Sequence, residues 1–291
     1  MQAVLTIPSV GWDGSYPASV QKQAIDALEQ GQVLFLPELA FALEKHELDF
    51  LSPQTVRNSK NVNYDPASGK AGGTGVAGIK LQELCTLMHR FAQSTRTLLD
   101  GLLPAYRGGI RQARTSLRPV EVVGRKTSWR KDDTRLHVDS FPSMPTHGER
   151  ILRVFSNINP DGRPRVWRVG ESFENIAKRF WPTLRTPGWM GSWLMYLLRV
   201  TRSRRSAYDS YMLQLHDRMK EDDVYQQHGA QVGQAFPPGS TWIVYTDQVP
   251  HAAMSGIHQL EQTFYVPVDC LVHKQTAPLR VLEGLAQRKL A

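Results

Sequence analysis

Between Leu81 and Leu103 apolar side chains recur at three- and four-residue steps, through Leu84, Leu87, Met88, Phe91, Leu98, Leu99 and Leu102. That period predicts a long helix with one buried face, packed as scaffold against a sheet. Shorter helices are predicted at Ala18 to Gln30 and Leu39 to Leu51, and the run Gln32-Val-Leu-Phe-Leu-Pro37 between them reads as a strand closed by proline. Gly69 to Gly78 is glycine-rich and reads as a loop. After Pro104 the pattern turns to short alternating runs, predicting strands at Ala113 to Val123, Thr134 to Phe141, Ile151 to Asn159, Arg165 to Val169, Ser240 to Thr246 and Glu261 to Val268. Pro160-Asp-Gly-Arg-Pro164 and Pro237-Pro-Gly239 supply strong turns between them. Ser172 to Asp223 reads as a helical insertion. This order predicts a mainly β protein with flanking helices, built on a double-stranded β-helix, the jelly-roll, cupin-like core that holds metals in its open end. The expected organisation is a single catalytic domain over 1–291. It comprises an N-terminal helical scaffold at 1–104 and a core at 105–275 with its helical insertion at about 172–230.

Composition narrows the setting. With 41% apolar residues over 291 positions the chain has an ordinary packed core, and Cys85 and Cys270 are too few for a disulfide framework or a thiolate metal site. The start, Met1-Gln-Ala-Val-Leu-Thr-Ile-Pro8, has no basic region followed by an apolar block, so a cytoplasmic location is expected. A net charge of +8 calls for an anionic partner. Nine basic residues lie between Arg107 and Arg135 against Glu121, Asp132 and Asp133, and they run directly into the stretch described next.

In Arg135-Leu-His-Val-Asp-Ser-Phe141, His137 and Asp139 stand at i and i+2, so an extended backbone projects both to the same side. His251 follows an apolar run that reads as a buried strand ending at the histidine. Two imidazoles and a carboxylate on one face of a metal leave three open positions, which suits non-haem Fe(II) with a bidentate co-substrate and dioxygen. Nine His and fifteen Asp would give about 0.5 such pairs by chance, so the motif needs its context. A hydrogen-bonded core histidine is the ordinary alternative for His137. A rival pair, His147-Gly-Glu149, is flanked by Pro142, Pro145 and Gly148, which favour an irregular loop.

Several runs taken together resemble one family: Leu136-His-Val-Asp-Ser-Phe-Pro-Ser143, Arg150-Ile-Leu-Arg-Val-Phe-Ser-Asn-Ile-Asn-Pro160, Pro238-Gly-Ser-Thr-Trp242, Asp247-Gln-Val-Pro-His-Ala252 and Leu260-Glu-Gln-Thr-Phe264. The chain is similar over most of its length to the bacterial hydroxylases of 3-deoxy-D-manno-octulosonic acid (Kdo), which are Fe(II)/2-oxoglutarate dioxygenases. The resemblance implies hydroxylation at C3 of Kdo in the inner core of lipopolysaccharide, giving D-glycero-D-talo-octulosonic acid. It also implies iron at His137, Asp139 and His251, with 2-oxoglutarate and O2 as co-substrates. Related oxygenases carry an arginine about ten residues past the distal histidine, but here that neighbourhood is Glu261-Gln-Thr263. Arg153 is therefore expected to pair with the far carboxylate of 2-oxoglutarate, with Thr263 adding a hydroxyl and Arg150 in reserve.

Kdo carries a carboxylate and lipid A carries phosphates, so Trp129, Arg130 and Arg135 in the basic stretch are expected to touch an anionic Kdo–lipid A glycolipid. Trp189-Met-Gly-Ser-Trp-Leu-Met-Tyr-Leu-Leu198 is too short to span a bilayer. Followed by Arg199, Arg202, Arg204 and Arg205, it reads as a peripheral contact with the inner face of the inner membrane or as a buried helix. Two other readings use the same residues: a dioxygenase of this fold acting on nucleic acid or protein, and a non-catalytic anion- or membrane-surface-binding protein. Only Tyr106 and Trp129 offer rings for base stacking around the basic stretch, so no nucleic-acid partner is expected.

Overall fold

The structure is a computed structural model that describes residues 3–57, 60–121, 128–186 and 203–291. Its strands are β1 Val4–Thr6, β2 Val33–Leu36, β3 Val62–Asp65, β4 Lys70–Gly72, β5 Arg111–Arg118, β6 Arg150–Asn157, β7 Arg165–Gly170, β8 Gln231–Phe236, β9 Thr241–Tyr245, β10 His251–Ser255 and β11 Gln259–Val266. The helices are α1 Ala18–Glu29, α2 Gly78–Leu102, α3 Phe173–Phe180, α4 Ala207–Glu221, α5 Asp223–His228 and α6 Pro278–Ala286. Eight strands form the major sheet in the order β1-β2-β9-β6-β11-β5-β3-β4, and β10-β7-β8 form the minor sheet. The middle of the major sheet, β9-β6-β11-β5, is antiparallel throughout and faces the minor sheet, which is the double-stranded β-helix expected from the strand pattern.

Alternation along β6 divides its work between two layers. Leu152 and Val154 join a core that includes Leu98 and Leu102 of the long helix α2, whereas Phe155 points between the sheets. There Phe155, Trp167, Phe236 and Trp242 plug one end of the roll, with Phe236 and Trp242 stacked at 4.1 Å. Each such ring contributes roughly 2–3 kcal/mol by burial. Beyond the plug the inward positions turn polar. Arg153 faces the interior one step along β6, and Thr263 of β11 stands opposite it.

Several expectations need correction. Leu39 to Leu51 forms only the 3-10 turn Lys45–Leu51, because Glu44 and Glu47 cap each other there and the residues before it are not helical. Residues 1–104 are not purely helical: β1 and β2 extend one edge of the major sheet, β3 and β4 the other, and the strand β4 falls inside the glycine-rich loop. β2 is the apolar run already read as a strand, whereas the three or four residues of β1, β3 and β4 are too short to show a period. Thr134 to Phe141 is not a laddered strand. It makes one bridge, His137 to His251, and its outer edge is held instead by Gln226, which accepts from Leu136 N–H and donates to Leu136 C=O. The apolar run before His251 ends at Tyr245, and His251 opens the next strand rather than closing this one. β8 has little apolar signal because it is an edge strand with Val232 exposed.

The described part of the insertion between β7 and β8 carries the helices α3, α4 and α5. Ser172, Ser206 and Asp222 cap α3, α4 and α5. Trp189 to Leu198, with Arg199 and Arg202, lies outside the described residues. Among the described residues no helix is long and apolar enough to cross a membrane.

Candidate metal centre and its cavity

His137, Asp139 and His251 come together at the polar end of the roll, with one ligand atom from each lying within 4.8 Å of the others. The backbone places them. His137 and His251 exchange both N–H···O=C bonds, at 3.1 and 2.9 Å, and Asp139 N–H donates to Thr246 C=O at 2.7 Å. The i, i+2 projection expected from the sequence therefore survives without a full ladder. His137 Nε2 lies 3.9 Å from Asp139 Oδ1, and the two imidazole centroids are 4.7 Å apart.

The donor set fits a divalent metal. His137 Nδ1 is 2.7 Å from Arg135 C=O and His251 Nδ1 is 2.9 Å from Val249 C=O. A carbonyl only accepts, so each Nδ1 carries the proton and each neutral ring keeps a bare Nε2 lone pair. Burial, reinforced by His251 and Lys220, holds His137 well below the ordinary histidine range, and burial likewise lowers His251. Trp167 stacks on His251 at 5.1 Å and fixes its plane. Burial alone would raise the pKa of Asp139, but the Arg153 guanidinium, with a hydrogen bond from Thr246, holds its carboxyl far below the usual range. Both neutral imidazoles and an ionised carboxylate are what a metal needs.

A cavity of about 60 Å³ opens beside these three residues, and its wall includes Arg118, Arg153, Arg165 and Gln259. The guanidinium of Arg153 is already engaged: Nη2 is 3.1 Å from Asp139 Oδ2 and Nη1 is 2.9 Å from Glu261 Oε1. Arg118 in turn joins Glu261 at 3.1 Å to Asp133 at 3.5 Å, and Lys60 meets Asp133 at 2.6 Å. The result is a run of alternating charges from Lys60 at the rim to Asp139.

Arg165 stands apart from that run. It is 2% exposed, donates from Nη1 to Gly256 C=O at 2.8 Å, and has no carboxylate in ion-pair range among the described residues. Burial, with Arg118 adding to it, pushes its pKa down to about 9. Among the described residues its Nε has no hydrogen-bond partner, and neither do Trp167 Nε1, Arg118 Nε and Arg153 Nε on the same wall. A buried, unneutralised guanidinium among unsatisfied donors fits an anionic ligand with several oxygens. Gly256 allows the grip: a Cβ there would lie 2.8 Å from Arg165 Cδ and 2.9 Å from its Cα.

A larger cavity of about 330 Å³ shares Arg118, Asp133, Asp139, Arg153 and Glu261 with the first. Thr263 lines this outer cavity, not the inner one. The other expected contacts lie elsewhere. Arg130 stacks on Trp129 at 4.1 Å and pairs with Asp217, and Arg135 binds Lys220 C=O and Asp223, so these residues fasten the insertion to the core and line neither cavity. Arg150 is buried against Asp247 at 2.7 Å, on the face of β6 opposite to Arg153. His147, with positive φ, meets Ser203 and Asp209 away from His137, Asp139 and His251. Arg118, Glu261 and Arg165 were not singled out in the sequence. The signal for them is positional: a charged residue at an inward place of a strand that otherwise reads as core.

The model of the 3-deoxy-D-manno-oct-2-ulosonic acid (Kdo) hydroxylase family matches residues 11–289 of the chain. A crystal structure of the Kdo hydroxylase KdoO, a non-haem Fe(II) α-ketoglutarate-dependent dioxygenase, in complex with α-ketoglutarate and Fe(III), is 48% identical, with a TM-score of 0.97 over 100% of this chain and 98% of that one. The cobalt(II) complex of KdoO is 48% identical, with a TM-score of 0.98 over 99% and 97% of the two chains. Its apo structure is likewise 48% identical, with a TM-score of 0.97 over 99% and 97%. No curated protein sequence matches the chain.

Proposed function

The chain belongs to the Kdo hydroxylase family, and on that premise we propose how its residues carry the reaction. It is an Fe(II)/2-oxoglutarate-dependent dioxygenase that hydroxylates Kdo. In the proposed reaction the hydroxyl enters at C3, on Kdo of the lipopolysaccharide inner core, giving D-glycero-D-talo-octulosonic acid, and residues 1–291 act as one catalytic unit. One observation carries this reading: two imidazole lone pairs and an ionised carboxylate converge in a buried site whose other wall holds an unneutralised arginine.

His137, Asp139 and His251 would hold the iron. When bound there with 2-oxoglutarate and O2, it supplies the oxidising chemistry in which the co-substrate becomes succinate and carbon dioxide and one oxygen atom passes to the sugar. The protein sets the geometry. The Arg135 and Val249 carbonyls fix the histidine tautomers, and Trp167 keeps the ring of His251 in place. Arg165 takes the far carboxylate of 2-oxoglutarate, with Arg118 beside it. Arg153, paired with Asp139 and Glu261, orients the carboxylate ligand instead of meeting the co-substrate directly. Thr263, opposite Arg153, belongs to the substrate side.

The proposed acceptor is the Kdo–lipid A glycolipid. A peripheral contact with the inner leaflet is proposed from the sequence alone, where Trp189, Trp193 and Tyr196 precede an arginine cluster. Mass spectrometry of lipid A–core from cells expressing the chain tests the function. The expected product carries one added oxygen on Kdo, absent with His137→Ala; unmodified Kdo under iron-replete, aerobic conditions would overturn the reading.

A further inference from the structure

We propose that Arg114 anchors the substrate through its sugar carboxylate, within the cavity of about 330 Å³ that adjoins the metal ligands. This inference rests on the Kdo hydroxylase reading above. The cavity lies at the low end of the size of small-molecule sites, roughly 300–1,000 Å³, which suits one acidic sugar residue with the rest of a glycolipid outside. Asp139 forms part of its wall, so a sugar seated there abuts the metal centre.

The charges on that wall single out one residue. Lys60 and Arg118 are neutralised by Asp133, Arg118 and Arg153 by Glu261, and Arg153 also by Asp139. Arg114, on β5, lines the same cavity and is exposed, and its guanidinium has neither an ion pair nor a hydrogen bond among the described residues. A free guanidinium offers paired N–H groups in the geometry a carboxylate accepts. Asn63 adds a neutral donor: its Oδ1 accepts from Asn61 Nδ2 at 3.0 Å and from Ser116 Oγ at 3.1 Å, which leaves its amide N–H groups for a ligand hydroxyl. Phe141 and Tyr265 supply rings on which the C–H face of a sugar can lie. One cation unpaired among the described residues, hydroxyl-directed donors and two rings form a site for a monoanionic sugar, not for a run of phosphates.

The test uses the protein loaded with cobalt(II) and 2-oxoglutarate, which cannot turn over, and calorimetric titration with the methyl glycoside of Kdo and with its carboxamide. The wild type should bind the acid about 10- to 100-fold more tightly than the carboxamide. Arg114→Ala should remove that preference by weakening the acid alone, Arg114→Lys should restore part of it, and the Kd for 2-oxoglutarate should not move. Equal binding of the acid by wild type and Arg114→Ala overturns the proposal, as does a variant that weakens acid and carboxamide alike. A wild type that hydroxylates Kdo in lipopolysaccharide but shows no preference for the acid also overturns it. A wild type that hydroxylates no Kdo substrate overturns the functional reading on which it rests.

Discussion

Replacing Arg165 with methionine separates the proposed co-substrate cation from every other arginine of the site. In the ligand-free protein this side chain is a buried charge with no carboxylate in ion-pair range among the described residues, and burial pushes its pKa well below the ordinary arginine range, to about 9. At about 1.4 kcal/mol per unit, the fold carries on the order of 5 kcal/mol of unfavourable charge burial. The sign follows from its being a cation with a folded pKa below the unfolded one. The penalty is fully present below pH 9 and fades only as the pH rises from there toward the ordinary arginine range. Methionine keeps the apolar stem but loses the bond to Gly256 C=O, worth about 1–2 kcal/mol, so the ligand-free variant should be more stable by about 3 kcal/mol. For a chain of this length that is a rise in Tm of roughly 6 °C. The response to 2-oxoglutarate should go the other way. Loss of a bidentate, charge-assisted contact of about 3 kcal/mol weakens the co-substrate about 100-fold and abolishes the stabilisation it confers. Scanning calorimetry of the cobalt(II)-loaded protein over a 2-oxoglutarate titration reads both effects, with Arg153→Met run beside it. If Arg165→Met kept the wild-type 2-oxoglutarate Kd while Arg153→Met lost it, the assignment of the two cations would be reversed.

The remaining predictions concern the proposed metal ligands and the charges behind them. His137→Ala and Asp139→Ala should each lower cobalt(II) affinity by at least about 100-fold with an unchanged circular-dichroism spectrum, and a variant that still titrates like wild type would remove that residue from the ligand set. Because both ligand histidines are held below the usual 6.5, they stay neutral as the pH falls from 7.5 to 6.5, so the cobalt(II) Kd should be flat over that window; a loss of affinity tracking an ordinary histidine titration would contradict the buried geometry. Glu261→Gln leaves Arg118 and Arg153 without their shared carboxylate, and should destabilise the protein by about 3–5 kcal/mol in thermal denaturation. An unaltered melting temperature would mean that Glu261 contributes nothing net. Arg135→Ala should loosen the packing of α4 and α5, seen as faster amide exchange there, while the KM for the glycolipid stays within about twofold; a larger rise would return Arg135 to the substrate site.

The sequence by itself determined the pieces whose signal is local. The long helix α2 follows from a stripe of leucines, the central strands from short apolar runs between proline–glycine turns, and the projection of His137 and Asp139 from their i, i+2 spacing. It also placed His251 near them through the combination of motifs. Only the tertiary structure decided which arginine is free. Arg114, Arg118, Arg153 and Arg165 are alike along the chain, and their roles depend on partners brought from far away. Glu261 of β11 neutralises Arg118 and Arg153, whereas among the described residues Arg165 finds the carbonyl of Gly256 and no carboxylate in ion-pair range. The same holds for Arg130 and Arg135, which the insertion helices claim as structural clamps. A local pattern reports how a side chain leaves its own backbone. Whether its charge is compensated depends on distant groups and on exclusion of water, and both exist only once the sheets have closed on each other.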